Sequence, residues 1–354
     1  TSVQSLLNTE IGIRLSNDMA LGETDFELMG MSGNNVKILL DGIPLIDRGA
    51  TKQSLSQLDV NSIERVEIVE GPMSVVYGTD ALAGVINIIT KKGDGYSEEN
   101  TWRVGARVQE ESMGKEYDFF KDKGLHNESI DLGFNHKSGL FVNGGYTRNN
   151  HGGWQGDLTG REKRWHPKDQ ALMNGMFGFQ NRNMNVWYRL DFLDEKIFGP
   201  NNGSELQPEK VSDKDFLTKR YTHQLQSDWK LDNRLDVHAA LSYQDYKRRT
   251  RTTESDLSTG EKWLSSAEAS QDITQYKAWI ARATVAWNIA PEFSVQPGVE
   301  YQWTQGEGGR IDGTPKVSDL AFFLSAEYKP WEWLSLRPGV RTFIVADYDA
   351  PIAI

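Results

Sequence analysis

The stretch IERVEIVEGPMSVVYGTDALAGVINIITKK, residues 63–92, decides how the chain is interpreted. Apolar-rich strand patterns at 63–69 and 85–90 flank a segment in which Gly and Pro favour sharp turns. The sequence before this stretch predicts a small α/β unit, and the sequence after it predicts a long series of alternating strands. Residues 63–92 therefore mark the boundary between two architectures.

The composition restricts the class of protein. The 354 residues carry a formal net charge of −11 with a pI near 5.2, which disfavours a nucleic-acid-binding protein. Cysteine is absent, so a disulfide framework, a thiolate metal site and a cysteine nucleophile are excluded. No apolar run reaches the ~18 residues of a membrane-spanning helix, and the mean hydropathy is −0.57. A membrane β-barrel also has low mean hydropathy, because its strands alternate polar and apolar residues.

The first part of the chain predicts a compact α/β unit. Residues 36–45, VKILLDGIPL, alternate in hydrophobicity and then turn at Asp41-Gly42. Residues 52–62 predict a short helix with Leu55 and Leu58 on one face, which leads into the strand at 63–69. No metal-ligand cluster or catalytic triad occurs in these segments, so the unit alone predicts no chemistry of its own.

From residue 101 onward, strand patterns come in pairs that are joined by short polar turns. One face of each pair is apolar, and the other carries residues such as Arg189, Asp191 and Arg282. Five pairs and a leading strand at 101–109 give about eleven strands. Long charged connections separate the pairs at 110–128, 148–170, 194–220, 247–275 and 305–318.

The lengths of the connections favour a membrane barrel, because short turns at one rim and long loops at the other are typical of outer-membrane barrels. Trp279 and Trp287 lie eight residues apart on one apolar face, or about 20 Å along the membrane normal at a tilt of roughly 40°. A soluble β core would explain the same alternation, but the long loops and the repeatedly charged second face favour the barrel. An open edge is not tolerated in lipid, so about eleven strands predict only part of a larger barrel.

Several motifs of the first unit occur together in one known family. They begin with the Leu-Asp-Gly turn of 36–45 and continue with the Ile-Glu-Arg-Val-Glu strand within 58–69. The closing segments are Glu70-Gly71-Pro72, Tyr77-Gly78, Ala81, Gly84-Val85-Ile86-Asn87 and Ile88-Ile89-Thr90-Lys91-Lys92. This set resembles the plug domain of the TonB-dependent outer-membrane transporters of Gram-negative bacteria. The chain departs from the family at Met29, where an Arg is common before the following Gly.

The resemblance implies a mostly β protein: a transmembrane antiparallel β-barrel of 22 strands, about half of them in this chain, with an N-terminal α/β plug domain inside the lumen. It implies a plug domain at 1–95, the N-terminal half of the barrel at 96–354, and a TonB box upstream of Thr1. It also implies a location in the Gram-negative outer membrane and active import of a scarce metal chelate. The chelates carried by the family include ferric siderophores, corrinoids such as vitamin B12, and haem.

The resemblance further implies the partners of such an importer. These are the TonB-ExbB-ExbD energy-coupling complex, a small-molecule substrate and outer-membrane lipid, and the long loops offer a docking place for a surface-exposed lipoprotein. Nucleic acid is not expected. Importers of glycans or peptides share the fold, and a passive porin is a further alternative that would lack the plug. An enzyme is not expected, because no nucleophile with a nearby base stands out.

Candidate ligand contacts fall in two apical plug loops, at 16–25 and 44–54. The residues expected there are Asn17, Asp18, Asp47, Arg48 and Lys52. The 148–170 loop adds His151, Trp154 and His166, since a loop histidine could serve as an axial ligand of haem iron. The histidines show no paired spacing, so a plain polar loop explains them equally simply.

Charged plug residues predict contacts with the barrel wall. The candidates are Arg14, Glu64, Arg65, Glu67 and Glu70, opposite lumen-facing residues such as Arg189, Asp191 and Arg282. A solvated strand face is the alternative. No cofactor is expected except a structural Ca²⁺ in the 194–220 loop. That loop carries Asp194, Glu195, Glu205, Glu209, Asp213 and Asp215, although their spacing matches no defined calcium loop.

Overall fold

The computed structural model describes residues 12–18, 23–28, 30–32, 35–46, 55–70, 74–78, 83–92, 99–309 and 313–345, together with Leu7, Ala81 and Ile311. Three sheets account for most of these residues. Two small sheets form an N-terminal unit within residues 12–92, and one large antiparallel sheet follows it. The predicted boundary between two architectures therefore coincides with a change of sheet.

The N-terminal unit has the following strands. The first sheet contains β1 (Ile13–Asp18), β2 (Glu23–Leu28) and β3 (Met31–Ser32); the second contains β4 (Val36–Leu40), β5 (Ile43–Pro44), β6 (Ile63–Glu70) and β7 (Gly84–Thr90). In the second sheet the order is β5-β4-β7-β6, and β4 runs parallel to β7. Because β7 lies between two strands and is covered on both faces, its sequence is almost continuously apolar.

The core of this unit lies on both faces of β4 and β7. Ile38 and Ile86 belong to one buried cluster, whereas Leu39 and Val85 belong to a second cluster on the opposite face. Alternate residues of each strand thus supply both clusters. Strands at 36–40 and 63–69, with a turn at 41–42, match the sequence prediction.

The helical prediction for 52–62 is corrected by the structure. Two short 3-10 turns occur there, at Leu55–Gln57 and Val60–Ser62. Asp59 separates them, because its carboxylate accepts a hydrogen bond from Asn61 N at 3.0 Å and caps the second turn. Helix α1 (Ser74–Tyr77) is also short. Among the described residues, no helix combines the length and apolar character needed to cross a membrane.

The large sheet begins near residue 101, as predicted. Its strands are β8 (Thr101–Glu111), β9 (Leu125–Asn135), β10 (Leu140–His151), β11 (Lys168–Gln180), β12 (Met184–Gly199), β13 (Lys210–Lys230), β14 (Leu235–Asp256), β15 (Lys262–Leu264), β16 (Ile273–Ala290), β17 (Phe293–Gly308), β18 (Lys316–Trp331), β19 (Leu334–Leu336) and β20 (Gly339–Val345). Sequential strands pair antiparallel, with the short β15 and β19 added beside β14 and β18. Apart from these two, the described sheet has the eleven strands that the alternation predicts.

The loops at one rim are shorter than the sequence predicted. For example, the 194–220 connection reduces to 200–209, because β12 and β13 stay paired from Met184↔Trp229 up to Gly199↔Lys214. Similar extensions leave connections at 112–124, 152–167 and 257–272, the last of which contains the short β15. Charged and polar residues are frequent in these extensions and interrupt the hydrophobic alternation, but the ladder of backbone hydrogen bonds continues through them.

The two faces of the large sheet differ in chemistry. Leu241, Trp279, Trp287 and Phe322 point outward and stay between 42% and 48% exposed. The opposite face carries buried polar side chains, among them Arg189, Gln224, Gln244 and Arg282, and the N-terminal unit packs against it. An apolar outer face and a polar inner face are the arrangement of a membrane barrel.

Candidate functional site

Three inward-facing glutamines hold the β4–β5 hairpin against the large sheet. The side-chain amide of Gln226 donates to Asp41 O at 2.8 Å, and that of Gln244 donates to Pro44 O at 2.7 Å. Gln244 also accepts from Ile46 N at 2.9 Å, while Gln224 donates to the hairpin at 3.3 Å. Each amide satisfies a backbone group that the hairpin cannot satisfy itself, so the contact is polar yet complete.

Asp41 ties this hairpin to the end of β7. Its carboxylate is buried and accepts hydrogen bonds from Thr90 N at 3.0 Å and Thr90 Oγ1 at 2.7 Å, and it pairs with Lys92 Nζ at 3.1 Å. Asp41 has φ 50°, a left-handed conformation that Asp tolerates better than most residues. Lys92 in turn lies over the ring of Trp187, 5.1 Å from its centroid. The Leu-Asp-Gly turn therefore serves as an anchor between the unit and the sheet.

A buried ion cluster holds helix α1. The Glu300 carboxylate lies between two arginines, at 2.9 Å from Arg282 Nη1 and 2.7 Å from Arg341 Nη2. The free sides of both guanidiniums donate to Val76 O, at 3.0 and 3.2 Å. Because the last carbonyls of a helix lack internal partners and carry partial negative charge, cations are favoured at this end. Lys37 adds a third cation, donating to the neighbouring carbonyl of residue 77 at 2.6 Å.

The 3-10 turns lie against a second polar cluster. Glu195 accepts from Gln57 Nε2 at 2.7 Å and from Gln170 Nε2 at 2.8 Å. Nearby, Asp59 accepts from Thr147 Oγ1 at 3.0 Å, and burial raises the pKa of its carboxyl. Asp59 lines two small crevices with about 40 and 30 Å³ of space for water. The interface is thus a polar contact with room for water rather than a sealed apolar core.

Among the described residues, Arg65 of β6 forms its ion pairs within its own strand, so the predicted contacts of the charged β6 residues with the barrel wall stay predictions. Arg65 pairs along its own strand, with Glu64 at 2.9 Å and Glu67 at 2.8 Å, and all three side chains are roughly half exposed. A register shift between Ile63 and Arg65 brings neighbouring side chains of the strand within reach of each other. On the wall, Arg189 pairs with Asp191 at 2.6 Å, two residues along β12.

The remaining predicted contact residues are placed as follows. Arg14 is exposed on β1, where its backbone lies opposite Glu27. Asn17 and Asp18 fall at the end of β1, and Glu70 ends β6. Asp47, Arg48 and Lys52 lie outside the described residues. Their roles in ligand binding stay predictions.

The three loop candidates lie in or beside the 152–167 loop. Trp154 and Trp165 form a backbone bridge, and His151 stacks on Trp165 with ring centroids 4.5 Å apart. His151 accepts a hydrogen bond from Gly153 N at 2.9 Å; burial, with the charge of Lys168 nearby, lowers its pKa to about 4. His151 is therefore a buried neutral residue that shapes the loop. His166 lies at the far end of the loop, with its ring beside Gly199.

The carboxylates of the predicted calcium loop do not converge. Asp194 and Glu195 lie on β12, Asp213 and Asp215 lie on β13, and each pairs with nitrogen donors. Within the described ranges, no group of three His, Asp or Glu residues could hold a metal ion. Residues 194–220 comprise parts of two long strands and a ten-residue connection, so these carboxylates are not gathered in one loop.

The residues that join the N-terminal unit to the large sheet were not predicted from the sequence. Gln224, Gln226, Glu300 and Arg341 were not singled out, although each lies at an inward position of a strand that was predicted. The alternation does indicate such residues, because buried glutamine and arginine side chains on one face of a sheet need hydrogen-bond partners. Which backbone groups they meet depends on how the N-terminal unit sits against the sheet.

Comparisons with known proteins agree with this architecture. Residues 1–85 match the family model of the TonB-dependent receptor plug domain. Over 107 residues, covering 26% of this chain and 14% of the relative, the chain is 33% identical to the ferrienterobactin receptor of Escherichia coli K12.

Solved structures extend the likeness to the large sheet. A ferric enterobactin receptor mutant of Pseudomonas aeruginosa superposes with a TM-score of 0.67 at 15% identity, covering 98% of this chain and 55% of that one. The ferric yersiniabactin uptake receptor of Yersinia pestis gives 0.61 at 15% identity, with 96% and 61% covered. The siderophore receptor of Acinetobacter baumannii gives 0.65 at 13% identity, with 100% and 58% covered.

The aligned fractions show how much of each relative this chain corresponds to. The chain spans a little over half the length of the solved receptors and a small fraction of the curated relative. At such low identity the structures show the fold alone, whereas the plug match also identifies the N-terminal unit. Residues 1–85 thus match the plug domain of TonB-dependent receptors, and the large sheet that follows has the fold of the β-barrel of Gram-negative outer-membrane receptors.

Proposed function

We propose that this protein imports a ferric siderophore across the outer membrane, using energy delivered through TonB. The observation that carries the proposal is the plug held against the inner wall by polar contacts rather than by a continuous apolar interface. Gln226, Gln244 and Arg282 each bind a backbone carbonyl of the plug. Water can replace such contacts one at a time, so a plug held this way blocks the lumen at rest and can still be displaced by a pulling force.

The relatives support an iron chelate as the substrate class. The curated relative is named a ferrienterobactin receptor, and two of the solved receptors are named for ferric enterobactin and ferric yersiniabactin. A corrinoid or haem stays an open alternative, as do glycan and peptide cargoes. We infer no enzymatic role, and a passive porin is disfavoured because the matched plug occupies the inner face of the sheet.

The proposal assigns domains, a substrate site and partner sites to particular segments of the chain. The plug would extend over 1–95 and the first half of the barrel over 96–354. The substrate would bind between the apical plug loops, with Asn17, Asp18, Asp47, Arg48 and Lys52, and the 152–167 loop that carries Trp154. On the inner side, the TonB-ExbB-ExbD complex would pull on the plug, and a surface lipoprotein would dock on the long loops.

Growth on single iron sources tests the proposal. A strain that lacks the gene is grown in iron-limited medium with ferric enterobactin, ferric yersiniabactin, ferric citrate, haem or vitamin B12 as separate supplements. Loss of growth on one ferric siderophore, restored by the wild-type gene only when TonB is present, is the expected result. Loss confined to haem or vitamin B12 would move the substrate to that class, and unchanged growth on every supplement would refute import of these chelates.

A second measurement separates transport from binding. Purified receptor is titrated with each ferric chelate, and quenching of its tryptophan fluorescence is followed. Asp47→Asn is the test variant, because the sequence predicts an apical loop at 44–54. Asp232→Asn is its matched control, because Asp232 lies in the short turn between β13 and β14 at the opposite rim. Weaker binding by the first variant alone supports the apical site, while equal affinity in both variants contradicts it.

A further inference from the structure

The outward surface of β13, β14 and β16 carries a row of aromatic side chains near the loop end. Tyr221, Tyr243 and Trp279 occupy outward positions on these three neighbouring strands, and the rings of Tyr243 and Trp279 pack with centroids 4.7 Å apart. Tyr221 and Trp279 are 42% and 43% exposed. Aromatic rows of this kind lie where the hydrocarbon layer meets the headgroups, so this row marks the height of the boundary.

Cationic side chains follow directly above the aromatic row. Lys219 and Lys277 lie two residues from Tyr221 and Trp279 in the direction of the loops, and Lys247 and Arg249 continue the outward face of β14. We call these four residues, Lys219, Lys247, Arg249 and Lys277, the cationic rim. With about 3.3 Å per residue along a tilted strand, the rim lies at the depth of the lipid headgroups.

The register of the strands places like charges side by side. Lys219 lies directly opposite Lys247 in the β13–β14 ladder, and like charges in such cross-strand pairs are destabilising. Lys277 lies opposite Asp245 in the β14–β16 ladder, but Asp245 is hydrogen-bonded to Gln275. Lys219 has a carboxylate at 3.4 Å in Asp194. Within the described ranges, Lys247, Arg249 and Lys277 have none within ion-pair distance. An anion from outside the chain would relieve the repulsion between these cations.

The wider surface is also unbalanced in charge. Asp215 already pairs with both Lys196 and Arg251, and Asp245 accepts a hydrogen bond from Gln275 at 2.7 Å. The outward positions of β12 to β16 at this height hold six cations and three carboxylates: Lys196, Lys219, Lys247, Arg249, Arg251 and Lys277 against Asp194, Asp215 and Asp245. A local excess of positive charge is notable on a chain whose net charge is −11.

We propose that the cationic rim binds the phosphate of a phosphorylated lipid headgroup in the leaflet at the loop end of the barrel. The lysine ammonium groups and the Arg249 guanidinium supply charge-assisted hydrogen bonds to the phosphate oxygens. Directly below the rim, Leu225 and Leu241 are 46% and 42% exposed and offer an apolar surface to the acyl chains. This continuity of cations with an apolar face selects a lipid over a free phosphate, which would use the cations alone.

Lipid binding to single-site variants tests the proposal. The full-length protein is placed in phosphatidylcholine nanodiscs, phosphatidic acid is titrated in as the phosphomonoester lipid, and the lipid that stays bound is counted by native mass spectrometry. Lys247→Gln should weaken binding roughly five-fold, because one cation near a lipid headgroup contributes about that factor. The combined variant of Lys219, Lys247 and Arg249 to Gln should weaken it roughly a hundred-fold on the same basis.

Two controls make the result decisive. Arg148→Gln removes an outward cation from β10 that is already paired with Asp169, so binding should change less than about two-fold. Lys247→Arg keeps the charge and should keep binding, and the heat-modified electrophoretic mobility of every variant shows whether its barrel is folded. Equal loss in Lys247→Gln and Arg148→Gln would overturn the proposal. Full competition by inorganic phosphate, or equal retention of phosphatidylcholine alone, would also overturn it.

Discussion

Replacing Glu300 by Gln should loosen helix α1 of the plug while leaving the barrel strands folded. The Glu300 side chain is 2% exposed and faces Arg282 and Arg341, whose side chains are 6% and 1% exposed. The substitution keeps the size of the side chain and removes its charge. The two buried guanidiniums then share no carboxylate, and their remaining partners are the carbonyls of residues 75 and 76 and neighbouring aromatic rings, which carry no full negative charge.

The magnitude follows from burial. Removing one partner of a buried ion pair costs about 3–5 kcal/mol, because the other partner stays buried and uncompensated. Gln can still accept one hydrogen bond from an arginine, so we expect the lower end, about 3 kcal/mol. A free-energy change of that size raises the population of the released plug segment by roughly a hundred-fold.

Hydrogen–deuterium exchange measures this population directly. The backbone amides of 74–78 should exchange roughly a hundred-fold faster in Glu300→Gln, since local opening sets their rate, and the amides of β13 and β14 should not change. Glu327→Gln is the matched control. Its carboxylate also pairs with two cations, Lys329 and Arg337, but all three side chains are exposed enough for solvent to screen them, so the cost should be below about 1 kcal/mol.

The reasoning would be refuted by either of two results. Unchanged exchange at 74–78 in Glu300→Gln would mean that the ion cluster does not hold α1. Faster exchange of equal size in Glu300→Gln and Glu327→Gln would mean that burial is not what sets the energy.

Four further predictions follow from the contacts. Arg65→Ala should lower the free energy of unfolding by less than about 1 kcal/mol in urea titration, because its exposed pairs lie within one strand; a larger loss would restore a plug–barrel role. Asp41→Ala should cost about 2–4 kcal/mol and expose the plug to trypsin, because three donors lose a buried carboxylate. Gly152→Ala should lower the thermal midpoint, since a Cβ there would overlap Asp122 O; an unchanged midpoint would show that the loops yield. His151 has a pKa lowered from 6.5 to about 4, so the unfolded loop binds the extra proton first. Loop stability, followed by tryptophan fluorescence, should therefore be full above about pH 6.5 and fall by up to about 3 kcal/mol toward pH 4, and His151→Gln should abolish the dependence.

Local sequence pattern was sufficient for the strands and for the direction of their faces. The alternation around Leu241 and Trp279 predicted outward residues, and both are exposed in the structure. The apolar run at 85–90 predicted a strand, which is β7, and the structure shows that β7 is buried along most of its length. These properties depend on residues close in sequence, because side chains along a strand point alternately to opposite faces.

The sequence pattern did not predict the strand pairing of segments in which charged residues interrupt the hydrophobic alternation. The predicted loop at 194–220 is mostly strand, because Asp194 and Asp215 find cations on neighbouring strands and the backbone ladder extends into water. Similarly, Arg65 was predicted to reach the barrel wall, yet its partners lie beside it on β6. A charged side chain pairs with an oppositely charged group that is close in space, and the sequence does not show which group that is.

The sequence by itself determined the two architectures, the strand count and the resemblance of the N-terminal unit to a receptor plug domain, since these depend on local periodicity and on the motifs of residues 36–92. Only the tertiary structure decided which polar groups join plug and barrel. Gln226 meets Asp41 from 185 positions away, and Arg341 meets Val76 from 265. Such contacts depend on the relative position of the plug and the large sheet. The donor–acceptor distance of a hydrogen bond spans only roughly 0.5 Å, so a larger displacement breaks the bond.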